Sequence, residues 1–264
     1  MSEGQYSCLS VEERGDILVV GLNRPEKRNA INDTLIAEIG SLFTSLSDDV
    51  KAVVLFGHGE HFSSGLDLSE HSERDAYGVM QHSQLWHRTF HSLQFGKVPV
   101  VAALHGAVVG GGLELASSVH VRVAEPSTFY ALPEGQRGIY VGGGASVRLA
   151  RIIGAGRMAE MMLTGHAYQA AEGQAMGLSH HLVEAGEGLA KAIELAERIA
   201  KNAPLSNYAV LHALPRIVEM GPQEGLFTES LMAAMVQTSD EATRRMRLFL
   251  DKKAEKAGAT RPQS

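Results

Sequence analysis

Four short runs, residues 17–22, 51–56, 98–104 and 119–124, are rich in β-branched and aliphatic side chains, interrupted in the last by His120 and Arg122. They constrain the fold more than any other feature. Each is too short for a typical helix and has the apolar, β-branched character of a buried strand. Helical patterns separate them. Asn32 stands as an N-cap before Leu35, Ile36, Ile39, Leu42, Phe43 and Leu46, which recur at helical spacing. A second helix is predicted over 77–94, with Leu85, Trp86, Thr89, Phe90 and Leu93 on one face. A short helix is expected over 113–118 and a fifth, short strand over 128–132. This alternation predicts an α/β fold. The last third is helical throughout: a helix ending before Pro204, then stretches at 206–220, 223–235 and 240–257, the first of them broken by Pro215. The shift falls near residues 201–204. The expected division is therefore a core over 1–200 and a helical region over 201–264.

Composition narrows the class. With 264 residues and 44% hydrophobic side chains the chain can bury a large core without disulfides or metal. Its 28 glycines show no period of three, so collagen is excluded. A net charge of −6 argues against nucleic acid as a partner. The single Cys8 points to a reducing compartment. The first residues carry neither a basic nor an apolar segment, and residues 98–116 contain His105, Glu114 and several glycines, a poor membrane span. The expectation is a cytoplasmic protein without membrane or nucleic-acid partners.

Two loops carry the chemical signal. One is residues 62–68, Phe-Ser-Ser-Gly-Leu-Asp-Leu; the other is residues 105–116, which contains Gly110, Gly111, Gly112 and Glu114. Both follow predicted strands. Small residues there leave backbone N–H groups unobstructed, and two such groups converging on a carbonyl oxygen make an oxyanion hole. A dinucleotide-binding reading of Gly110–Gly112 fits badly, because no G-x-G-x-x-G pattern is present. Taken alone, Glu114 reads as a structural residue of a first helical turn and Glu134, after Pro133, as a solvated loop residue.

Together with residues 22–30 (Leu-Asn-Arg-Pro-Glu-Lys-Arg-Asn-Ala) and 97–103, these loops resemble the crotonase superfamily of enoyl-CoA hydratases and isomerases over nearly the whole chain. The resemblance implies a spiral of ββα units and a C-terminal helical region that assembles trimers or hexamers. It implies oxyanion donors at Leu66 and Gly111 and catalytic carboxylates at Glu114 and Glu134. It also implies contacts to CoA or acyl group from Lys27, Arg28, Ala30, Ser64, Gly65, Asp67, Leu68 and Tyr140, with Lys252 or Lys253 of a neighbouring subunit near the phosphates. The implied reaction is hydration of a 2-enoyl-CoA, or the reverse, with no cofactor and no metal. The alternatives are a Δ3,Δ2-enoyl-CoA isomerase, a hydratase for an unusual acyl group, or a CoA- or RNA-binding member without catalysis. The chain departs from the family over residues 135–144, where Arg137, Tyr140 and an extra glycine replace a proline-containing turn. His105 is expected to be a satisfied structural histidine. His58, His61, His180 and His181 are expected to be solvated, and Trp86, Met158, Met161 and Met162 to pack in the core or an interface.

Overall fold

The computed structural model describes residues 6–69 and 73–250. Lys252, Lys253 and the expected frayed tail lie outside them. The chain separates into two compact units, Met1–Lys201 and Asn202–Ser264.

In the first unit the elements run β1 (Leu9–Arg14), β2 (Ile17–Leu22), α1 (Asp33–Thr44), β3 (Ala52–Gly57), α2 (Ala76–Gln94), β4 (Val100–Leu104), β5 (Ala107–Val109), α3 (Gly111–Ala116), β6 (Val121–Ala124), β7 (Phe129–Ala131), α4 (Ala145–Ile153), α5 (Ala155–Thr164), β8 (Tyr168–Gln169), α6 (Ala170–Met176), β9 (His181–Leu182) and α7 (Gly188–Ala200). Six strands form one sheet in the order β1-β2-β3-β4-β6-β9. Its strands are parallel except for the β1–β2 hairpin.

The apolar runs follow from this placement, because both faces of the sheet are covered. Leu18, Val20, Leu22, Val53, Leu55, Val100 and Ala102 face the large core, which also contains residues of α1, α2 and α3. Ile17, Val19, Val54, Val101 and Val123 face the other way, onto Ala192, Ala196 and Ala200 of α7. Asn32 caps α1 as expected, its Oδ1 accepting from Leu35 N at 2.9 Å.

β5, β7 and β8 form a second, three-stranded sheet. This small sheet positions the site. A parallel bridge pairs Ser63 with Val108, and its hydrogen bonds are Ser63 N to Ala107 O and Val109 N to Ser63 O. Three residues further along each strand stand Leu66 and Gly111. A second bridge, Ile31 with Leu66, anchors the first loop from its other side.

The second unit consists of α8 (Pro204–His212), α9 (Leu214–Ile217), α10 (Pro222–Gln237) and α11 (Asp240–Leu250). Pro215 does break the helical stretch: α8 ends at His212 and Pro215 occupies the first turn of α9. Val210, Leu214, Val218, Leu226, Phe227, Leu231 and Met235 are exposed on these helices.

Candidate active site

The short helix α3 begins at Gly111, two residues earlier than its apolar pattern predicts. The difference matters, because it makes Gly111 N a first-turn donor with no helical acceptor. Leu66 N is likewise uncommitted: the Ile31 bridge uses Gly65 O and Asp67 N instead. Among the described residues neither amide has an acceptor. The two lie close together, since a Cβ built on Gly111 would stand 3.4 Å from Leu66 N and one on Gly65 would stand 3.1 Å from Gly111 N.

Two glycines are required by this geometry. Gly65 has φ +92° and packs against Val109 O, which a Cβ would approach to 2.7 Å. Gly110 has φ 53° and ψ −123°, and a Cβ there would reach 2.8 Å from Glu134 Oε1. Both conformations favour glycine; the backbone contact at Gly65 excludes a side chain, and a side chain at Gly110 would displace the Glu134 carboxyl.

Glu114 and Glu134 are both buried, 4% and 6% exposed. For Glu134 this reverses the isolated reading as a solvated residue. It lies in a 3-10 turn, Glu134–Arg137, directly after β7 and Pro133, and its Oε2 is buried without a partner among the described residues. Burial pushes its carboxyl up to about 7; its own backbone N–H and Arg137 oppose the rise, and Glu114 adds to it. Glu114 is different. Its Oε1 accepts from Gly143 N at 2.7 Å and Ala145 N at 3.0 Å. Burial raises this carboxyl too, while those amides and the Arg148 charge pull it back toward ionisation. Both carboxyls end up raised, but only Glu114 has two amide donors to hold a charge, which suits it to carry the charge and Glu134, with its partnerless Oε2, to carry the proton.

Both carboxyl groups and both free amides line one cavity of about 190 Å³. Its remaining wall comes from Arg74, from α2 and from residues 139–143. Val79, Trp86, Ile139 and Val141 supply apolar surface, and Arg74, His82 and Ser83 supply polar groups. Asp33 holds two of these, accepting from Arg74 Nη2 at 2.7 Å and lying 2.8 Å from His82 Nε2. Sequence reasoning named Trp86 as core and left Arg74, His82 and Ser83 unmarked. Trp86 does pack edge-on to Phe90, yet its ring also lies against Gly111.

The other expected contact residues gather beside the first loop. Ser64 N donates to Arg28 O, and Lys27 Nζ to Ser69 Oγ. Arg24 Nη1 donates to Ala30 O at 2.6 Å and to Asp67 Oδ2 at 3.0 Å. Asp67 is thus held inside a buried ion pair; burial would raise its carboxyl, but Ser69 and Arg24 keep it below the ordinary range. Arg28 and Asn29 both have φ of 52°. Asn29 fixes this left-handed pair, accepting from Arg24 N and donating to His58 O and His61 O. Leu68 and Tyr140 are exposed.

The histidines expected to be solvated are mostly committed to the framework. His58 Nε2 meets Ser10 Oγ at 2.7 Å, His61 Nδ1 accepts from Ala107 N, and His180 Nδ1 accepts from Arg122 N. His105 Nε2 lies 3.0 Å from Gly59 O. Met158 and Met161 are core residues, and Met162 packs against that core. No group of three or more potential metal ligands occurs among the described residues. No helix among them is long and apolar enough to cross a membrane.

The raised Glu134 carboxyl has a consequence for stability. An unfolded glutamate titrates near ~4.3. The folded protein therefore holds this proton more tightly, and wild-type stability falls as pH rises from there through about 7. Glu134→Gln removes the titration. Its urea midpoint should exceed that of the wild type at pH 8, by about 2–4 kcal/mol in unfolding free energy, with the gain vanishing near pH 4. An equal difference at both pH values would show that the carboxyl is not strained by burial.

Comparison with known proteins gives a consistent result. The chain matches a family model described as enoyl-CoA hydratase/isomerase over residues 12–257. It is 30% identical over 249 residues to enoyl-CoA hydratase EchA19 of Mycobacterium tuberculosis, with 92% of this chain and 94% of the relative covered. It is 31% identical over 251 residues to the 2,3-dehydroadipyl-CoA hydratase of Escherichia coli, with coverages of 94% and 97%. Among solved structures, a Rhodopseudomonas palustris protein assigned as an enoyl-CoA hydratase is 58% identical; the TM-score is 0.92, over 93% of this chain and 95% of that one.

Proposed function

Because the chain belongs to the enoyl-CoA hydratase/isomerase family, we propose that its site adds water across the double bond of a 2-enoyl-CoA, and catalyses the reverse. The observation that carries this reading is the convergence of two free amides and two unlike carboxyl groups on one cavity. The thioester oxygen sits between Leu66 N–H and Gly111 N–H, which stabilise the enolate as charge reaches the oxygen. Glu114, ionised, takes a proton from the water that attacks the β-carbon. Glu134, protonated, delivers its proton to the α-carbon. The product is a 3-hydroxyacyl-CoA, and the two carboxyl groups exchange protonation states through solvent before the next turnover. No cofactor enters.

The CoA portion runs along Lys27, Arg28, Ala30, Ser64, Gly65 and Leu68, with Asp67 bracing the loop from within. The acyl group enters the cavity between α2 and residues 139–143, with Tyr140 at its rim. The exposed apolar residues of α8, α9 and α10 serve assembly into a trimer or a pair of trimers. The enzyme works in the cytoplasm.

One observation favours a specialised acyl group. Arg74 and His82 line the cavity beside Val79, Trp86, Ile139 and Val141; Asp33 engages Arg74 Nη2 and His82 Nε2, and the remaining N–H groups of the Arg74 guanidinium suit an acyl chain bearing an oxygen function better than a plain alkyl chain. Among the relatives, one is named for 2,3-dehydroadipyl-CoA. The test is a substrate panel with the purified protein: crotonyl-CoA, hex-2-enoyl-CoA and the six-carbon enoyl-CoA with a terminal carboxylate. Loss of the conjugated thioester absorbance is expected with each, with the highest kcat/KM for the carboxylate. No turnover of any member would overturn the hydratase reading, whereas the highest value for the alkyl chain would overturn only the specialised one.

A further inference from the structure

Two buried carboxyl groups that face one cavity raise each other's cost of ionisation, so something must decide which one carries the charge. The cavity lining alone does not. Arg148, half-buried on α4, does not line the cavity and touches no carboxylate among the described residues. Its fork is nevertheless fixed at two points. Nε donates to Gln94 Oε1, at the last residue of α2, at 2.6 Å, and Nη1 donates to Gly143 O at 3.0 Å. That carbonyl belongs to the peptide lying between the two peptides whose N–H groups hold Glu114 Oε1. Fixing the middle peptide fixes the direction of both neighbours. The flanking carbonyls are held separately, Gly142 O by Ser83 Oγ at 2.6 Å and Gly144 O by the α4 amides Val147 N and Arg148 N. The Arg148 side chain thus supplies the hold on the middle peptide of a turn whose Gly142, Gly143 and Gly144 carry no side chains to pack; a Cβ on Gly143 would itself stand 2.9 Å from Glu114 Oε2.

We propose that Arg148 is a positioning residue: anchored by Gln94, it locks the Gly143–Ala145 turn so that two amides grip Glu114 and make it the ionised base of the pair. This inference rests on the hydratase reading and goes beyond it. Arg148 acts in two ways at once. Its hydrogen bond orients the turn, and its positive charge favours the Glu114 carboxylate. A guanidinium suits the task better than an ammonium, because one planar group must reach an amide oxygen and a carbonyl in different directions.

The groups facing this carboxylate are few. Glu134 stands opposite and disfavours its charge. His87 on α2 is exposed overall, but its ring interacts with Arg148 and is pushed toward the neutral form by partial desolvation and by that charge. Loss of Arg148 would therefore weaken Glu114 ionisation and also ease protonation of His87, so His87→Asn is included as a background that silences the second effect.

The test is the pH dependence of kcat/KM on crotonyl-CoA for wild type, Arg148→Met, Arg148→Lys and Gln94→Leu, each also with His87→Asn. Arg148→Met should shift the acidic limb upward by about one pH unit in both backgrounds. Arg148→Lys, which keeps the charge, should recover at least half of that shift. Gln94→Leu, which frees the guanidinium without removing it, should shift the limb in the same direction by about 0.3 unit or more, and it reads the proposal even if Arg148→Met fails to fold. A uniform fall in kcat/KM with the acidic limb unmoved in every variant would make Arg148 a merely structural residue and overturn the proposal. Wild-type turnover with an unmoved limb condemns this inference alone; absence of wild-type turnover condemns the hydratase reading on which it stands.

Discussion

Glu134→Gln is expected to lower kcat on crotonyl-CoA by about 10³, and Glu114→Gln by a similar factor, with KM changed by no more than about threefold. The physical reason differs for the two residues. Glutamine at 134 fills the same buried space beside Gly110 but cannot give up a proton as a carboxylic acid does. Glutamine at 114 can still accept from Gly143 N and Ala145 N through its amide oxygen, so the turn survives. What it loses is the negative charge that draws a proton from water. Both substitutions therefore remove interactions made in the transition state while leaving substrate binding nearly intact, which lowers kcat and kcat/KM together. The pair also separates the reactions available to this family. Hydration uses both carboxyl groups, so the two losses should be comparable. A Glu114→Gln protein that still moves a Δ3 double bond to Δ2 at the wild-type rate would mark the site as an isomerase.

Gly111→Ala is expected to cost about 10²–10³ in kcat, the usual consequence of losing one oxyanion donor. Alanine suits the backbone here, since Gly111 opens a helix and alanine is the better helix former. The obstacle is space. The new methyl would lie 2.7 and 2.9 Å from two ring atoms of Trp86, and 3.4 Å from Leu66 N. Trp86 is buried and packed on Phe90, so it yields little. The helix start must shift instead, carrying the Gly111 N–H away from its partner amide. Gly156→Ala provides the comparison. Gly156 lies within α5 with nothing inside 4 Å of a Cβ, so that variant should keep wild-type kcat and gain slightly in stability. If both variants retain full activity, the amide pair is not where charge develops.

How far the sequence carried these conclusions depended on the kind of signal. Apart from the two-residue β9, too short to leave a pattern, the parallel strands of the main sheet were legible because both faces are buried, which writes each as a mainly apolar run. Strand β1 was not, because Val11 to Arg14 lie toward the exposed edge and read as polar chain. Helices α4 and α5 were also missed. Each starts at a glycine that offers no side-chain cap, so the usual start signal is absent. Within the site, the loops carrying Leu66 and Gly111 stood out as clustered small residues. The burial of Glu134 did not, because it depends on β7 pairing beside β5 and on a turn packed behind it, relations with no local signature. Arg74, His82 and Ser83 belong to the polar side of an amphipathic helix and its approach, where polar residues are ordinary until the opposite wall is known. Gly142 to Gly144, which had no firm role as sequence, acquire one through Glu114, whose carboxylate needs an open backbone at Gly143.

The most direct test of the central claim is an isotope measurement on the reaction itself. Purified protein is incubated with crotonyl-CoA in D₂O enriched in H₂¹⁸O, and the product is read by mass spectrometry and NMR. The site described above predicts a 3-hydroxyacyl-CoA with ¹⁸O on the β-carbon and one deuterium on the α-carbon. Exchange or migration of the double bond with no oxygen gained, or recovery of crotonyl-CoA unchanged, would contradict it.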